Sequence, residues 1–339
     1  MRFDYETDIV IIGAGPAGLF AIFQAGMLKM RCHVVDNLPF IGGQCSALYP
    51  EKPIFDIPAY PSIDAQSLIN NLEKQAAPFH PTYHLNQQVI SFHSENNDLF
   101  ITTSIGIIIK CKAIIIAAGS GAFGPNRPPI HNIQEYEEKT VFYSVRRMAD
   151  FAGKRIVIAG GGDSAVDWAL NLVNIAEKIY VVHRRSKFRC APESSAKLEQ
   201  LALEKKIELV IPYQLHSLEG ANGQVERVIV EDLDHNTKSL EANILLPFFG
   251  LAMELGPILH WNLDLEKKHI SVDPSSLRTN IPNVYAIGDI VTYKGKLKLI
   301  LNGFAEAATA CHDIYNIVHP ETPLHFEYST TKGVETIGS

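Results

Sequence analysis

A short β-branched run that ends in a glycine-rich turn occurs twice in this chain, and no other feature limits the fold as strongly. The first copy is Asp8-Ile9-Val10-Ile11-Ile12 followed by Gly13-Ala14-Gly15-Pro16-Ala17-Gly18. The second is Arg155-Ile156-Val157-Ile158-Ala159 followed by Gly160-Gly161-Gly162-Asp163-Ser164-Ala165, with the first glycines 147 residues apart. Uninterrupted apolar runs of this length read as buried parallel strands. Each is followed by a helix-length segment, 16–29 and 164–176, and then by another strand-like run, 31–36 and 178–183. Two β-α-β units so far apart predict an α/β chain with two Rossmann-like dinucleotide-binding domains rather than a short-period repeat. The 339 residues are enough for two such domains.

In a turn of this kind one glycine permits the tight bend, one lets a pyrophosphate approach the backbone, and one lets helix and strand pack closely. The helix then presents unpaired N–H groups and a partial positive charge to the phosphates. The two copies differ at the end of the following strand. The first ends at Asp36, 18 residues after Gly18, where a carboxylate accepts from an adenosine ribose hydroxyl. The second runs through Tyr180-Val181-Val182 into His183-Arg184-Arg185, with Arg189 beyond. A carboxylate there would repel a 2′-phosphate, whereas guanidinium groups bind it through paired, charge-assisted hydrogen bonds. The first site therefore suits a dinucleotide with a free ribose. The second suits NADP(H), with Gly160, Gly162, Asp163, Ser164 and Ala165 at the turn and His183, Arg184, Arg185 and Arg189 beside the phosphate. Each half alone has a plainer reading, a structural turn with a solvated Asp or a solvated basic face. Together they point to a resident flavin served by a diffusible NADPH.

Several other chemistries are excluded or disfavoured. The 20 residues 9–28 have Gln24 as their one polar interruption, but Gly13, Gly15, Pro16 and Gly18 break them, and acidic Asp4, Glu6 and Asp8 precede them. Neither a membrane span nor a signal peptide is expected. A formal charge of −7 offers no field for nucleic acid. Cys32, Cys45, Cys111, Cys190 and Cys311 form no C-x-x-C pair, which argues against a zinc site or a dithiol and favours a cytoplasmic setting. His80 and His84 are separated by Pro81, so they form no helical metal pair, and no G-x-S-x-G elbow or phosphate-binding G-x-x-x-x-G-K loop occurs.

Further strands are expected at 86–92, 99–103, 105–110, 112–117, 225–231 and 242–249, and a long helix at 304–317. Proline- and glycine-rich stretches at 121–129 and after Pro247 read as linkers. The second nucleotide domain is thus inserted into the first: 1–119 and 249–325 bind FAD, 120–248 binds NADPH, and 326–339 is an appended tail.

With these fingerprints in place, Gly42-Gly43-Gln44, Ile114-Ile115-Ile116-Ala117-Ala118-Gly119 and Tyr285-Ala286-Ile287-Gly288-Asp289 resemble flavoproteins with two dinucleotide-binding domains. The size resembles bacterial thioredoxin reductase, which carries C-x-x-C before its second fingerprint. Here 140–153 contains no cysteine. With Gly42-Gly43-Gln44-Cys45-Ser46-Ala47-Leu48-Tyr49-Pro50-Glu51-Lys52 and the short tail, the chain is similar to thioredoxin-reductase-like ferredoxin/flavodoxin–NADP reductases over essentially its whole length. The resemblance implies hydride transfer from NADPH to flavin, then single-electron transfer to ferredoxin or flavodoxin, in a homodimer. It places Gly13, Gly15, Pro16 and Ala17 at the FAD pyrophosphate, Asp36 on the ribose, Gln44 and Tyr49 beside the flavin, and Val89 at the adenine. It places Phe123 near the flavin, Asp289 on the ribityl chain, and Tyr328 and Thr330 over the other flavin face. No side chain need act as acid or base. The alternatives are a flavin-dependent disulfide reductase without its own dithiol, and a flavin sensor that does not turn over. For carrier docking, Lys294, Lys296 and Lys298 alternate as they would on one face of an extended segment, and Arg146, Arg147, Lys154 and Arg155 form a second candidate.

Overall fold

The computed structural model describes residues 2–324, and at 122, 123, 125 and 251–253 the backbone alone. The Phe123 side chain, Tyr328, Thr330 and the tail 326–339 lie outside the described residues. The chain divides into two compact units, one from Met1–Phe123 and Met253–Ser339, the other from Gly124–Ala252. The parallel strands that carry them are, in chain order, β1 (Ile9–Ile12), β2 (Cys32–Val35), β3 (Thr82–His84), β4 (Ala113–Ile116), β5 (Arg155–Ala159), β6 (Lys178–Val182), β7 (Ile207–Val210), β8 (Ile244–Pro247) and β9 (Val284–Ala286). The helices are α1 (Pro16–Met27), α2 (Gln44–Leu48), α3 (Ala65–Ala76), α4 (Asp163–Leu172), α5 (Pro192–Leu203) and α6 (Ile300–Val318).

In the first unit the sheet order is β9-β4-β1-β2-β3. All its pairings are parallel, with Ile9 opposite Cys32 on one side and Ala113 on the other. The continuous apolar run of β1 follows from this central position, because both faces are covered. Ile9, Ile11, Ala113 and Ile115 pack with Leu19 and Ile22 of α1, Leu68 of α3 and Ile314 of α6. Val10, Ile12, Ile114 and Ile116 pack on the opposite face with Leu99, Ile101, Ile109 and Trp261. Each fully buried isoleucine contributes about 1.5–3 kcal/mol of transfer free energy. The opposite face is covered by a four-stranded sheet that includes Val89–Glu95, Asp98–Thr103 and Ile108–Cys111.

The second unit repeats the plan with the order β7-β6-β5-β8, again all parallel. One face packs Val157, Ala159, Val182 and Leu245 with Val225, Val228 and Val230 of a three-stranded antiparallel sheet, Gln214–Ala221, Gln224–Glu231 and Thr237–Glu241.

Both β-α-β units form where the sequence pattern places them, with no boundary moved by more than four residues. Strands β3, Gln214–Ala221, Thr237–Glu241, β7 and β9 and helices α2, α3 and α5 are not among the elements expected from the sequence. The first is a three-residue edge strand, and the next two are largely exposed and polar. Helix α3 does carry a local signal. Asp64 accepts from the Ser67 N–H at 2.8 Å, an N-cap, and Leu68, Ile69, Leu72 and Ala76 line its buried face. Among the described residues, no helix is long and apolar enough to cross a membrane.

Candidate functional site

The first glycine turn opens into a cleft within the first unit. At Gly13 φ is +109°, and a Cβ would lie 2.4 Å from the Ala117 carbonyl oxygen, so only glycine brings α1 this close to the end of β4. Gly15 has nothing within 4 Å of such a Cβ, which leaves the backbone open to a ligand. Gly15 is also the N-cap of α1 and provides no side-chain cap, so the first helical N–H groups face the cleft unpaired by a capping side chain. Asp36 stands at the end of β2. Its Oδ2 accepts from the Ala14 N–H at 2.6 Å and its Oδ1 from the Leu38 N–H at 2.8 Å. Burial pushes the Asp36 carboxyl above its ordinary range, and the two amide hydrogen bonds pull the other way. Each oxygen keeps a further lone pair for a hydroxyl donor.

Gly13, Gly15, Pro16, Ala17, Asp36, Gln44, Tyr49, Val89 and Asp289 all line this one cleft. The loop before α2 is anchored by the Gly42 N–H, which donates to the Ala14 carbonyl at 2.8 Å. Gln44 Nε2 donates to Ser120 Oγ at 3.2 Å. The Tyr49 hydroxyl lies 3.8 Å from Cys45 Sγ, and burial raises both groups, the thiol to about 11 and the phenol further, so both stay protonated. Asp289 also bears on both, since its charge raises them further. Val89 sits where the pairing with Asp98–Thr103 shifts register. Gln87, Gln88, Leu255, Ile258, Leu299, Ile300 and Gly303 also line the cleft, and no motif in the sequence marks them. Gln87 Oε1 is buried with no partner among the described residues, an orphan acceptor on the wall of the cleft. Two oriented turns, an open glycine, a carboxylate with spare acceptors and this orphan together fit a dinucleotide.

At the second turn the backbone solution is the same. Gly162 caps α4 without a side-chain cap, and a Cβ on it would meet only the Arg189 carbonyl oxygen, at 3.9 Å. Asp163 and Ser164 are exposed, while Ala165 is buried against Gly160. The segment after β6 folds back over the turn. The Arg189 N–H donates to the Gly161 carbonyl at 2.6 Å, and the Ala191 N–H donates to Asp163 Oδ1 at 3.0 Å. His183 turns inward instead of joining the arginines. A Cβ on Gly161 would lie 2.1 Å from its ring, Phe188 stacks on it at 5.2 Å, and Nε2 is 3.2 Å from the Lys187 carbonyl. Burial lowers its pKa, and the arginines nearby add to the effect, so it supports the loop as a neutral ring. Arg184, Arg185 and Arg189 are exposed.

These features agree with comparisons to known proteins. The family model for pyridine nucleotide-disulphide oxidoreductases matches residues 7–307. A ferredoxin–NADP reductase of Wolbachia pipientis wMel is 58% identical over 331 residues, 97% of this chain and 98% of that protein. One from Rickettsia bellii is 60% identical over 328 residues, 97% and 99% of the two chains. The chain belongs to this family. It is similar in fold to the thioredoxin reductases of Lactococcus lactis (TM-score 0.79, 24% identity, 93% of this chain and 99% of that one) and T. acidophilum (0.80, 22%, 92% and 99%).

The family description mentions a disulphide, but this member has no such pair among its described cysteines. All five thiols are free, and Cys32, Cys45, Cys111 and Cys311 are buried. The lysine face expected for carrier docking is corrected. The chain turns at Gly295 with φ +89°, and the Lys296 N–H donates to the Tyr293 carbonyl, so the segment is not extended. Lys294 and Lys298 are exposed, but the Lys296 side chain is 5% exposed and pairs with Glu306. In the other candidate patch, Arg147 pairs with Asp150, and Arg155 with Glu241 at 2.8 Å.

Proposed function

We propose that the protein is an FAD-containing reductase that passes electrons from NADPH to ferredoxin or flavodoxin, acting as a cytoplasmic homodimer. One observation carries this reading: two matching turns are followed by opposite charge. Asp36 suits a free ribose at the first, and Arg184, Arg185 and Arg189 suit a 2′-phosphate at the second. The names of the full-length relatives support the same pair of electron partners. Bound FAD would supply the chemistry, taking two electrons as a hydride and releasing them singly. The residues of this chain would do the rest. Gly13, Gly15, Pro16 and Ala17 cradle the pyrophosphate at the α1 N-terminus, Asp36 holds the ribose, and Gln87 and Val89 border the adenine. Gln44, Tyr49 and Asp289 orient the ring end. The protonated Tyr49 and Cys45 leave that end without a competing thiolate or phenolate.

A disulfide reductase is disfavoured, because the buried, protonated cysteines offer no paired dithiol. The purified protein should show flavin absorbance, and NADPH should reduce added ferredoxin over many turnovers while thioredoxin stays oxidised. Absence of flavin after gentle purification, or turnover with thioredoxin and none with ferredoxin, overturns the assignment. A single reduction without further turnover would favour a sensor instead.

A further inference from the structure

The first unit contains an ion pair that the electron-transfer reading does not use. Glu306 of α6 and Lys296 both have side chains 5% exposed, and they bond directly. Glu306 Oε2 accepts from the Gly288 N–H at 2.7 Å, and Oε1 accepts from the Tyr293 hydroxyl at 2.6 Å as well as from Lys296 Nζ. Taking two charges out of water is costly, and well-packed apolar side chains often do as well for stability alone. Such a pair therefore calls for a role beyond cohesion.

Its position supplies one. Gly288 has φ +78° and lines the cleft beside Asp289. Gly303, one turn before Glu306 on α6, also lines the cleft, and a Cβ there would lie 3.1 Å from Ala17 Cβ and 3.6 Å from Gly288 Cα. The carboxylate thus holds the backbone of a cleft-lining turn on one side and the loop 293–296 on the other. We propose that the Glu306–Lys296 pair is a positioning device for the cofactor cleft. Glu306 fixes the Gly288–Asp289 turn, and Lys296 cancels the charge that Glu306 would otherwise impose on the ring end.

This inference rests on the FAD reading above, and it makes a signed prediction. Two-electron reduction of a flavin near neutral pH adds negative charge, so a nearby uncompensated charge moves its midpoint potential. With the holoenzyme in mildly alkaline buffer, Glu306→Gln leaves Lys296 uncompensated and should shift the midpoint to more positive values. Lys296→Met leaves Glu306 uncompensated and should shift it to more negative values. The double variant should return close to the wild-type potential. Glu306→Gln should also release FAD roughly tenfold more readily, since the Gly288 N–H loses a charged acceptor.

Shifts of the same sign in both single variants, or no shift in either, would overturn the inference, and an equal fall in melting temperature would then mark the pair as structural only. If Glu306→Gln does not fold, the sign of the Lys296→Met shift decides, with Tyr293→Phe as a control that removes a donor without changing charge. Wild-type protein without flavin would defeat the FAD reading itself, which keeps the two failures distinct.

Discussion

At the first turn a Cβ on the leading glycine would lie 2.4 Å from the Ala117 carbonyl oxygen, and at the second 2.6 Å from that of Phe248. At the middle glycine, Gly15 or Gly162, the space is open or nearly so. Helices α1 and α4 both begin there with no side-chain cap. Up to this point the two units solve one problem in one way. They part at the next strand end. Asp36 spends its two oxygens on the amides of Ala14 and Leu38 and so becomes part of the turn. Arg184, Arg185 and Arg189 instead stand exposed on a loop that is tied to the turn through backbone groups, Asp163 and the inward His183. In the reading proposed above, phosphate binding falls to backbone geometry, and the choice of nucleotide to a few side chains that can change without disturbing it.

The hardest test separates the two glycine roles. Gly13→Val should leave the first unit unfolded or poorly expressed, because the obstructing Ala117–Ala118 atoms are backbone and a 2.4 Å approach at positive φ has no easy relief. Gly15→Val, with open space around it, should lose flavin and keep nearly the melting temperature of the flavin-free wild type. Equal collapse of both variants would show that the open position is structural too.

Next in size is the arginine loop. Replacing Arg184 or Arg185 by Ala should remove the charge-assisted bonds proposed to a 2′-phosphate, which contribute on the order of 1.5–3 kcal/mol, or roughly 10- to 150-fold in affinity. The KM for NADPH should rise by that factor while the KM for NADH stays put. Equal loss for both nucleotides would mean that the cluster serves the fold.

Asp36→Asn should act on the other side of the comparison and more gently. The amide retains one acceptor but turns a donor towards a backbone N–H, at a cost of about 1–3 kcal/mol. A lower melting temperature and weaker FAD retention should result, with the KM for NADPH unmoved. A change in NADPH kinetics of the same size would break the separation of roles.

The parts of this molecule visible in the sequence are those encoded locally. The runs at Ile9–Ile12 and Arg155–Ala159, the glycine spacings and the two strand ends need only neighbours in the chain to be read. What stayed hidden depends on distant partners. The three lysines at 294, 296 and 298 look alike in sequence, and only the approach of Glu306 from α6 buries the middle one. His183 adjoins two exposed arginines, yet Gly161 leaves a space that its ring fills. The cleft wall at Leu255, Ile258 and Gly303 comes from segments more than 200 residues beyond the first turn, and nothing in their own pattern marks them.

The smallest expected effect is a pH dependence set in the first unit, beside Asp36. His33 Nδ1 and His84 Nε2 lie 3.0 Å apart across β2 and β3, with the Tyr5 ring against both. Burial lowers both imidazoles, and the charges of His84 and Arg31 help bring His33 down to about 4. Above pH 6.5 both folded and unfolded chains hold this pair neutral, so it adds no slope. As pH falls towards 4 the unfolded chain takes up protons that the folded chain refuses, and stability declines. Below that value both states are protonated at His33 and its slope vanishes. After allowance for solvent screening, the loss across this window should be on the order of 1–2 kcal/mol. Urea titrations of the wild type and of His33→Gln between pH 6.5 and 4 would measure it, and the variant should show the shallower decline. Identical slopes would assign the acid sensitivity elsewhere, with the neutral His183 of the second unit as the next residue to replace.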